Sequence, residues 1–429
     1  MKRRLAVALV AAISVGMALA GCTSGGGTPS GKPSILIWVD TPRIPQATEY
    51  QKEMKGKVDV KIETIAQADA QTKIALANRA KKGWPDIIFG APADTAQFKD
   101  PSNGYALNLT KLLPKKILDG FGAGNSDCQY NGETWCLKND LANTVLWYNT
   151  KIFKQLGLTV PTTMQEFADT AMKLKGTGYS AGAYGDQLYY AAFLQSSECP
   201  LADVTAENTV RIAPNDPKCT RVAKLIQPLL DAGVIDKRSP FDAGFIKDVA
   251  GQDKVAMTIG PSWWGDFVIR PAASWNVPAG EIADANMPAW GSGSDNKSGA
   301  YGGGVFTVSS HSKYQQAAVD AAIWMTTSDW MATAATTPTF PAYGPANKLW
   351  ANRISKDPYY ASNVYPAMAA GANNISQVDR PVRFPFNAQF GATLSADINN
   401  GKSLATALDD YAKSIQGLAP QSGYKVVTK

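Results

Sequence analysis

Between residues 35 and 90 the chain alternates short apolar runs with helix-forming stretches. The apolar runs cover 35–39, 58–62 and 85–90, and helical periodicity covers 46–54 and 69–82. Strands that alternate with helices in this way predict βαβ units and therefore a mainly parallel sheet. The chain is thus expected to fold as an α/β protein.

The same kinds of signal continue to the end of the chain. Thr163 and Glu166 have the spacing of a capping box, which predicts a helix start there. Leu404, Leu408, Tyr411 and Ile415 would share one face of a final helix. Further strands are expected at 141–148 and 254–259, and further helices at 150–156, 222–232, 314–325 and 403–415.

The N-terminus has the pattern of a secretory leader. Lys2, Arg3 and Arg4 precede an apolar stretch over 5–20, which is short for a membrane span. Leu19-Ala20-Gly21-Cys22 is similar to the lipobox of bacterial lipoproteins, in which the cysteine is acylated and becomes the first mature residue. We therefore expect a signal peptide over 1–21, a lipidated Cys22, and a flexible tether over 22–33. An ordinary cleaved signal with an incidental cysteine is the alternative.

Charge and composition exclude several classes of partner. Of the formal charge of +6, three positive charges belong to Lys2, Arg3 and Arg4, which leaves a weakly basic body of +3. No run of lysine and arginine marks a nucleic-acid surface, so no nucleic-acid partner is expected. No cofactor and no metal site are expected either.

Four cysteines remain once Cys22 is assigned to the anchor. Outside the cytoplasm an even set indicates disulfides, and three pairings of Cys128, Cys136, Cys199 and Cys219 are possible. Proximity in sequence favours Cys128–Cys136 and Cys199–Cys219. A zinc site is the alternative, but the spacing and the histidines that zinc sites usually have are missing.

The single histidine limits hydrolytic chemistry. His311 lies in a polar turn before a predicted helix, and a Ser-His-Asp triad would depend on it alone. A glycosidase needs only two carboxylates, so that class stays open.

Several segments, in order along the chain, resemble the extracellular solute-binding proteins of ABC sugar importers, the maltose-binding-like family. They are GWPDIIF at 83–89, VLWYNTKIF at 145–153 with PTTMQEF at 161–167, KVAMTIGPSW at 254–263, GGGVFTVS at 302–309, and NGKSL at 400–404. The resemblance implies a two-lobe periplasmic-binding-protein fold with a hinge of two or three crossing segments. We assign residues 34–141 plus 299–345 to lobe 1 and residues 142–298 plus 346–429 to lobe 2.

The function that the resemblance implies is that of a receptor. It would bind a carbohydrate, with the number of tryptophans favouring an oligosaccharide, and deliver it to ABC permease subunits. The protein would be a monomer without enzyme activity, held outside the cell membrane by the lipid on Cys22. The alternatives are another solute on the same fold and a lipoprotein glycoside hydrolase.

Sugar recognition needs aromatic faces for the C–H surfaces and polar side chains for the hydroxyls. Trp263 and Trp264 follow a predicted strand, and an aromatic at the Trp263 position commonly stacks on a sugar ring in the family. The alternative for each is core packing. Ligand contact is also expected from polar and aromatic residues in loops, at Asp40, Arg43, Asp94, Tyr184, Asp186 and Tyr301. The alternative for Asp40 and Arg43 is an Asx-type turn with a solvated arginine, and the alternative for the loop of Tyr184 is a turn with a buried tyrosine.

The resemblance adds candidates on the crossing strand and in a late loop. Asn143, or Asp140 beside it, would face the cleft, and so would Arg383 and Phe386. The alternative for the last two is a salt-bridged loop and a core ring. Asp94 has its own alternative, a helix-capping role, and Trp147 and Tyr148 are assigned to the core.

Overall fold

The computed structural model describes residues 31–291, 296–334, 339–378 and 381–428. The expected signal peptide, Cys22 and most of the tether lie outside these ranges. In chain order the strands of the described residues are β1 Ser34–Val39, β2 Asp59–Thr64, β3 Ile87–Gly90, β4 Gln129–Tyr130, β5 Glu133–Thr134, β6 Leu137–Lys138, β7 Thr144–Asn149, β8 Asp203–Ala206, β9 Thr209–Arg211, β10 Met257–Pro261, β11 Ile282–Ala285, β12 Val305–Val308 and β13 Lys425–Val427.

The α-helices follow the predicted alternation, with shorter helices added between. They are α1 Ile44–Glu53, α2 Ala70–Ala80, α3 Pro92–Thr95, α4 Lys115–Phe121, α5 Thr150–Leu156, α6 Met164–Lys173, α7 Gln187–Tyr189, α8 Pro217–Asp231, α9 Ala243–Asp248, α10 Gln315–Thr327, α11 Asp329–Thr333, α12 Gly344–Ile354, α13 Tyr365–Asn373, α14 Phe386–Phe390, α15 Ala396–Asn399 and α16 Leu404–Leu418. Three π-helical turns occupy Tyr190–Gln195, Gly265–Ile269 and Gly391–Ser395.

The first lobe is built on a five-stranded sheet with the order β2-β1-β3-β12-β6. β1 pairs in parallel with β2 and with β3, as the βαβ pattern predicts. β12 returns from a distant part of the chain and is antiparallel to both β3 and β6. The carboxyl ends of β1, β2 and β3 therefore meet at one edge of this sheet.

The second lobe has a different central sheet, with the order β10-β7-β11. Both pairings are antiparallel, so the expectation of a mainly parallel sheet is wrong for this lobe. The reason is the direction of the chain. β7 runs away from the segment that joins the lobes, whereas β10 ends at Pro261, opposite the residue where β7 begins, Thr144.

Three segments lie side by side between the two sheets. Residues 139–143 connect β6 directly to β7, and residues 299–304 lead into β12. Backbone hydrogen bonds join them, from Asn139 N to Gly304 O at 2.8 Å and from Tyr301 N to Ala142 O at 3.0 Å. A third segment, 340–342, pairs with the first through Leu141 N and Phe340 O at 3.0 Å. α12, most of which we assigned to lobe 2, packs against α4 of the first lobe. The lobe boundary at residue 345 therefore stays a prediction.

Both predicted disulfides are confirmed. Cys128 is bonded to Cys136, and Cys199 is bonded to Cys219. The first bond encloses the β4–β5 hairpin, and the second encloses the β8–β9 hairpin. β13 adds to β9 in parallel and completes a small third sheet.

Side chains at helix starts explain two boundaries. The Asn149 side chain accepts hydrogen bonds from Lys151 N and Ile152 N and caps α5. Thr163 and Glu166 form the predicted capping box at the start of α6.

The predicted apolar face of α16 is buried, and so is Trp147 in β7. No helix in the described ranges is long and apolar enough to cross a bilayer.

Asp284 is a buried acid in the second lobe. It lies on β11 opposite Trp147, and its Oδ2 atom has no hydrogen-bond partner. Burial raises the pKa of the Asp284 carboxyl well above its usual range. A carboxyl with a raised folded-state pKa stabilises the fold below its unfolded pKa of about 4, and that contribution is lost as the pH rises toward the folded value.

We therefore expect Asp284→Asn to raise the free energy of unfolding at pH 7 by about 1–3 kcal/mol, because the amide cannot ionise and avoids the cost of burying an unpartnered carboxylate. Urea denaturation between pH 4 and pH 8 measures this, and the variant should lose stability less steeply as the pH rises. The exposed Asp169, changed to Asn, is the control. Parallel pH profiles for Asp284→Asn and the parent would contradict the assignment.

Candidate functional site

A cavity of about 950 Å³ opens between the two lobes. This volume is near the upper end of the range for small-molecule sites, roughly 300–1,000 Å³. Loops from both central sheets and the segments 300–304 and 340–342 line it. Ten aromatic side chains contribute to the wall, namely Phe89, Phe121, Tyr190, Phe241, Trp263, Phe267, Tyr301, Phe340, Tyr365 and Phe386.

The first lobe contributes the loops at the carboxyl ends of its parallel strands. Asp40 follows β1, Gln67 follows β2, and residues 91–94 follow β3. Open α/β sheets bind ligands at this edge because the loops converge there. Asp40 and Gln67 are already joined, since the Gln67 amide donates to the Asp40 carboxylate at 2.5 Å. The loops thus present a connected polar rim.

The second lobe contributes an aromatic wall after β10. The Trp263 indole N–H donates to the Tyr301 carbonyl oxygen at 2.9 Å, and the two rings stack with centroids 5.9 Å apart. Phe267 lies one π-helical turn further along and packs edge-on against Trp263. Because its polar edge is bonded within the protein, Trp263 can offer a ring face to a ligand.

Tyr301 is held by the second lobe although it belongs to a crossing segment. Its hydroxyl lies 3.4 Å from Asp186, which also accepts hydrogen bonds from Ser239 and from Leu188 N. Burial raises the pKa of the Asp186 carboxyl, and the three hydrogen bonds oppose that rise. Next to Tyr301, the Gln195 side chain accepts a hydrogen bond from Ala300 N at 2.8 Å.

Two cations line the cavity in the described part of the chain, and both face carboxylates. Arg43 lies 3.5 Å from Asp40 and 3.5 Å from Asp140, with its guanidinium over the Phe89 ring. Lys138 forms a salt bridge with Asp127. Burial raises the pKa of the Asp140 carboxyl, and the Arg43 guanidinium opposes that rise.

Six of the predicted contact residues line the cavity together. They are Asp40, Arg43, Asp94, Trp263, Tyr301 and Phe386. Asp94 lies in the first turn of α3 and does not cap it, because Ala91 occupies the cap position. The ligand contacts themselves stay a prediction for these six residues.

Five predicted residues are not among those that line the cavity. Trp264 is fully buried and packs edge-on against Trp275 and Phe241, which is the core alternative. Tyr184 is buried, with its hydroxyl accepting a hydrogen bond from Ile259 N at 2.8 Å. Asn143 is buried and donates to the Met368 carbonyl oxygen at 2.9 Å. These three side chains have structural partners instead.

The other two of the five are Asp186 and Arg383, which contact neighbouring residues and do not line the cavity. Asp186 supports Tyr301, as described above. Arg383 contacts both lobes, although its neighbours Pro381 and Val382 line the cavity. Ligand contact by these five residues stays a prediction, and the structure gives each of them protein partners.

Several lining residues were not predicted from the sequence. Phe267 comes four residues after Trp263, a spacing that places two side chains on one helix face, so Phe267 could have been predicted from the sequence. Phe241 has an exposed fraction of 47%, unusually high for a large apolar side chain, and it follows Pro240 in a loop without periodicity. Gln67 and Gln195 had no sequence signal.

An α/β fold of two lobes with a ligand-sized cleft between them defines a class of binding protein. Within that class the family is identified by sequence, since the profile described as bacterial extracellular solute-binding protein matches residues 40–332. The chain belongs to this family. A search among curated proteins gives no significant match.

Solved structures agree with this assignment. The ABC transporter associated binding protein from B. animalis subsp. lactis, in complex with β-1,6-galactobiose, has a TM-score of 0.75 at 20% identity, covering 93% of this chain and 100% of that chain. The galacto-N-biose-/lacto-N-biose I-binding protein of Bifidobacterium longum, in complex with lacto-N-biose, has a TM-score of 0.75 at 17% identity and the same coverages. The GacH receptor of Streptomyces glaucescens has a TM-score of 0.70 at 20% identity, covering 92% of this chain and 100% of that chain. At these identities the likeness establishes the two-lobe fold.

Gly304, in the crossing segment 299–304, has no room for a side chain. A Cβ atom at this position would overlap the ring of Phe89, which is fully buried beneath Arg43. We expect Gly304→Ala to lower the free energy of unfolding by about 1–3 kcal/mol, the usual cost of overpacking. Chemical denaturation measures the change.

Gly417 in α16 is the matched control, because a Cβ there meets no atom within 4 Å. Gly417→Ala should stabilise the protein by up to about 1 kcal/mol, through helix propensity. An unchanged stability in Gly304→Ala would show that the segment can move aside.

Proposed function

We propose that this protein is a receptor that binds a neutral carbohydrate, with room for an oligosaccharide, between its lobes and delivers it to an ABC permease. The observation that carries the proposal is the aromatic wall around Trp263 opposite a rim of polar side chains. Aromatic faces complement the C–H surfaces of sugar rings, and carboxylate and amide groups satisfy the hydroxyls. The sugar ligands of the structural relatives support the same class of ligand.

The pairing of charges supports a neutral ligand. An anionic sugar would need an unpaired cation, but Arg43 and Lys138 are both engaged with carboxylates. Separating Arg43 from Asp140 to admit a uronic acid would leave a buried carboxylate without its partner, which is costly. Hydroxyl groups can bond to the same side chains without breaking the pairs.

The proposed location is the outer face of the cell membrane, with the lipid on Cys22 as anchor and residues 23–33 as tether. The family is extracellular, which supports this location. A single acyl chain anchors only marginally, so Cys22 would carry more than one. We further propose a monomer without enzyme activity, as expected for a protein whose relatives are binding proteins. The alternative of a glycoside hydrolase would require two carboxyl groups on either side of the scissile glycosidic bond, one as general acid and the other as nucleophile or as general base for water.

A thermal-shift panel tests the proposed function. Ligand that binds the folded state raises the unfolding temperature by mass action. We expect at least one neutral oligosaccharide to raise it and the matching uronic-acid oligosaccharides to leave it unchanged. A panel of neutral sugars without any shift would contradict carbohydrate binding, and a larger shift with the acidic series would contradict the argument from charge.

The variant Trp263→Ala links the result to the cavity. Loss of a stacking aromatic should weaken binding of the sugar identified in the panel by about 10- to 100-fold, measured by calorimetry. Trp84→Ala is the control, since Trp84 stacks on His311 away from the cavity.

Release of shorter sugars during incubation with the parent protein would favour the hydrolase.

Cys22→Ala tests the anchor. We expect the full-length variant to leave the membrane fraction and appear in the medium, because the acyl chains can no longer be attached. Affinity for the panel sugar should be unchanged, since the lining of the cavity, among the described residues, begins at Asp40. Fractionation followed by immunoblotting measures the release, and a variant that stays in the membrane fraction would refute lipidation at Cys22.

A further inference from the structure

Arg383 joins the two lobes on the side of the cavity formed by the late loop. Its guanidinium donates to the Asp100 carboxylate at 2.9 Å and to the Tyr130 hydroxyl at 2.7 Å, both in the first lobe. It also donates to the Asn208 side-chain oxygen, in the second lobe, at 2.6 Å. The Arg383 side chain has an exposed fraction of only 6%. One arginine therefore fills a gap between two bodies that the hinge allows to move.

The first-lobe partner Tyr130 lies in a loop closed by a disulfide. Tyr130 ends β4, and the Cys128–Cys136 bond encloses the β4–β5 hairpin that presents it. Directly after this hairpin the chain enters β6 of the five-stranded sheet. The hydroxyl is thus held by a short cross-linked loop attached to the sheet.

The second-lobe partner has the same kind of support. Asn208 is in the turn between β8 and β9, inside the loop that the Cys199–Cys219 bond closes. Cys219 belongs to α8, which packs against α6. Tyr424, just before β13, stacks on the guanidinium with its centroid 4.4 Å away.

The two hairpins also act on each other electrostatically. Glu207, next to Asn208 in the turn of the second-lobe hairpin, acts on the Tyr130 phenol of the first-lobe hairpin. Burial raises the pKa of the Tyr130 phenol, and Asp100 and Glu207 add to that rise while Arg383 opposes it. The junction thus contains groups from both disulfide loops.

We propose that Arg383 is a positioning residue that holds the two lobes together around the cavity, an arrangement we call closed, with the two disulfide loops as its fixed points. This goes beyond ligand binding, because it concerns the equilibrium between closed and open lobes in the protein alone. The clamp, meaning Arg383 with Asp100, Tyr130 and Asn208, adds to the closed state an interaction that opening breaks. Each disulfide limits the freedom of one loop, so that closing costs less conformational entropy.

The clamp is adjacent to the ligand cavity. Val382, next to Arg383, and Phe386, the first residue of α14, both line the cavity, and α14 packs against α3 of the first lobe. Movement of this loop therefore changes the wall of the site and the clamp together. A ligand that orders the loop would also favour the clamp, which makes affinity dependent on Arg383 without any direct contact.

Distance measurements by pulsed electron resonance, without added sugar, test the clamp. Spin labels on a keto amino acid at Lys111 and Thr205, two exposed positions in the first and second lobe, leave the cysteines untouched. For Arg383→Ala we expect the ratio of long to short distances to rise about tenfold, the value of one charge-assisted hydrogen bond. Asn208→Ala and Tyr130→Phe should shift the ratio in the same direction by a smaller factor.

The cysteine pairs provide a second arm. Replacing Cys128 and Cys136 together, or Cys199 and Cys219 together, with alanine should also raise the fraction of long distances. Arg238→Ala is the control, because Arg238 makes its ion pairs with Asp236, Asp242 and Asp248 within the second lobe. Circular dichroism checks that each variant is folded.

The outcomes separate the proposal from a simple loss of stability. If Arg383→Ala fails to fold, Asn208→Ala decides, since Asn208 is an exposed turn residue. Distance distributions for Arg383→Ala and Asn208→Ala that match the parent would overturn the proposal, as would an equal shift in Arg238→Ala. None of these results depends on which sugar binds, so the proposed function can stand or fall independently.

Discussion

The hydrogen-bonded pairing of residues 139–143 with residues 299–304 is the constraint on which the rest of the molecule depends. It sets the carboxyl edge of the parallel strands β1, β2 and β3 opposite the wall that follows β10. A ladder between two chain segments resists sliding but can twist, so it permits the bending of one lobe against the other. The same pairing places Tyr301, on the segment 299–304, against Trp263 in the aromatic wall.

Electrostatics in the cleft follow from the same edge of the sheet. Asp40 and Asp140 come from neighbouring segments, and Arg43 lies between them. Arg43 offsets part of the desolvation cost of the buried Asp140 and the half-buried Asp40, so it has less to offer an anionic ligand. The site therefore combines many polar atoms with little attraction for anions.

Local sequence signals were sufficient for much of the fold. The alternation of apolar runs predicted β1, β3 and β7 to within a few residues, and the capping pair at Thr163 and Glu166 marked the start of α6. The disulfides could be predicted because their cysteines are only 8 and 20 residues apart. The antiparallel second sheet could not, because strand direction depends on where distant segments cross between lobes.

Part of the candidate site could be predicted from the sequence. Loops after apolar strands pointed to Asp40, Asp94 and Trp263, since the ends of strands meet in space. The resemblance favoured Trp263 for the cleft but left Trp264 open, because neighbouring residues on a helical turn face different directions and only tertiary packing decides which is buried. Arg383 is the extreme case, with partners 283, 253 and 175 residues away in sequence.

The hydrogen bond from the Trp263 indole to the Tyr301 carbonyl has a consequence for selectivity. A tryptophan whose N–H is already satisfied contributes ring surface and no hydrogen bond, so in the proposed receptor it would contact the apolar face of a sugar ring. Hydrogen bonds to individual hydroxyls would then come from the opposite rim, where Gln67 and Asp94 line the cavity. In such a receptor a new hydrogen-bonding preference would arise from changes in the first-lobe loops, with the aromatic wall retained.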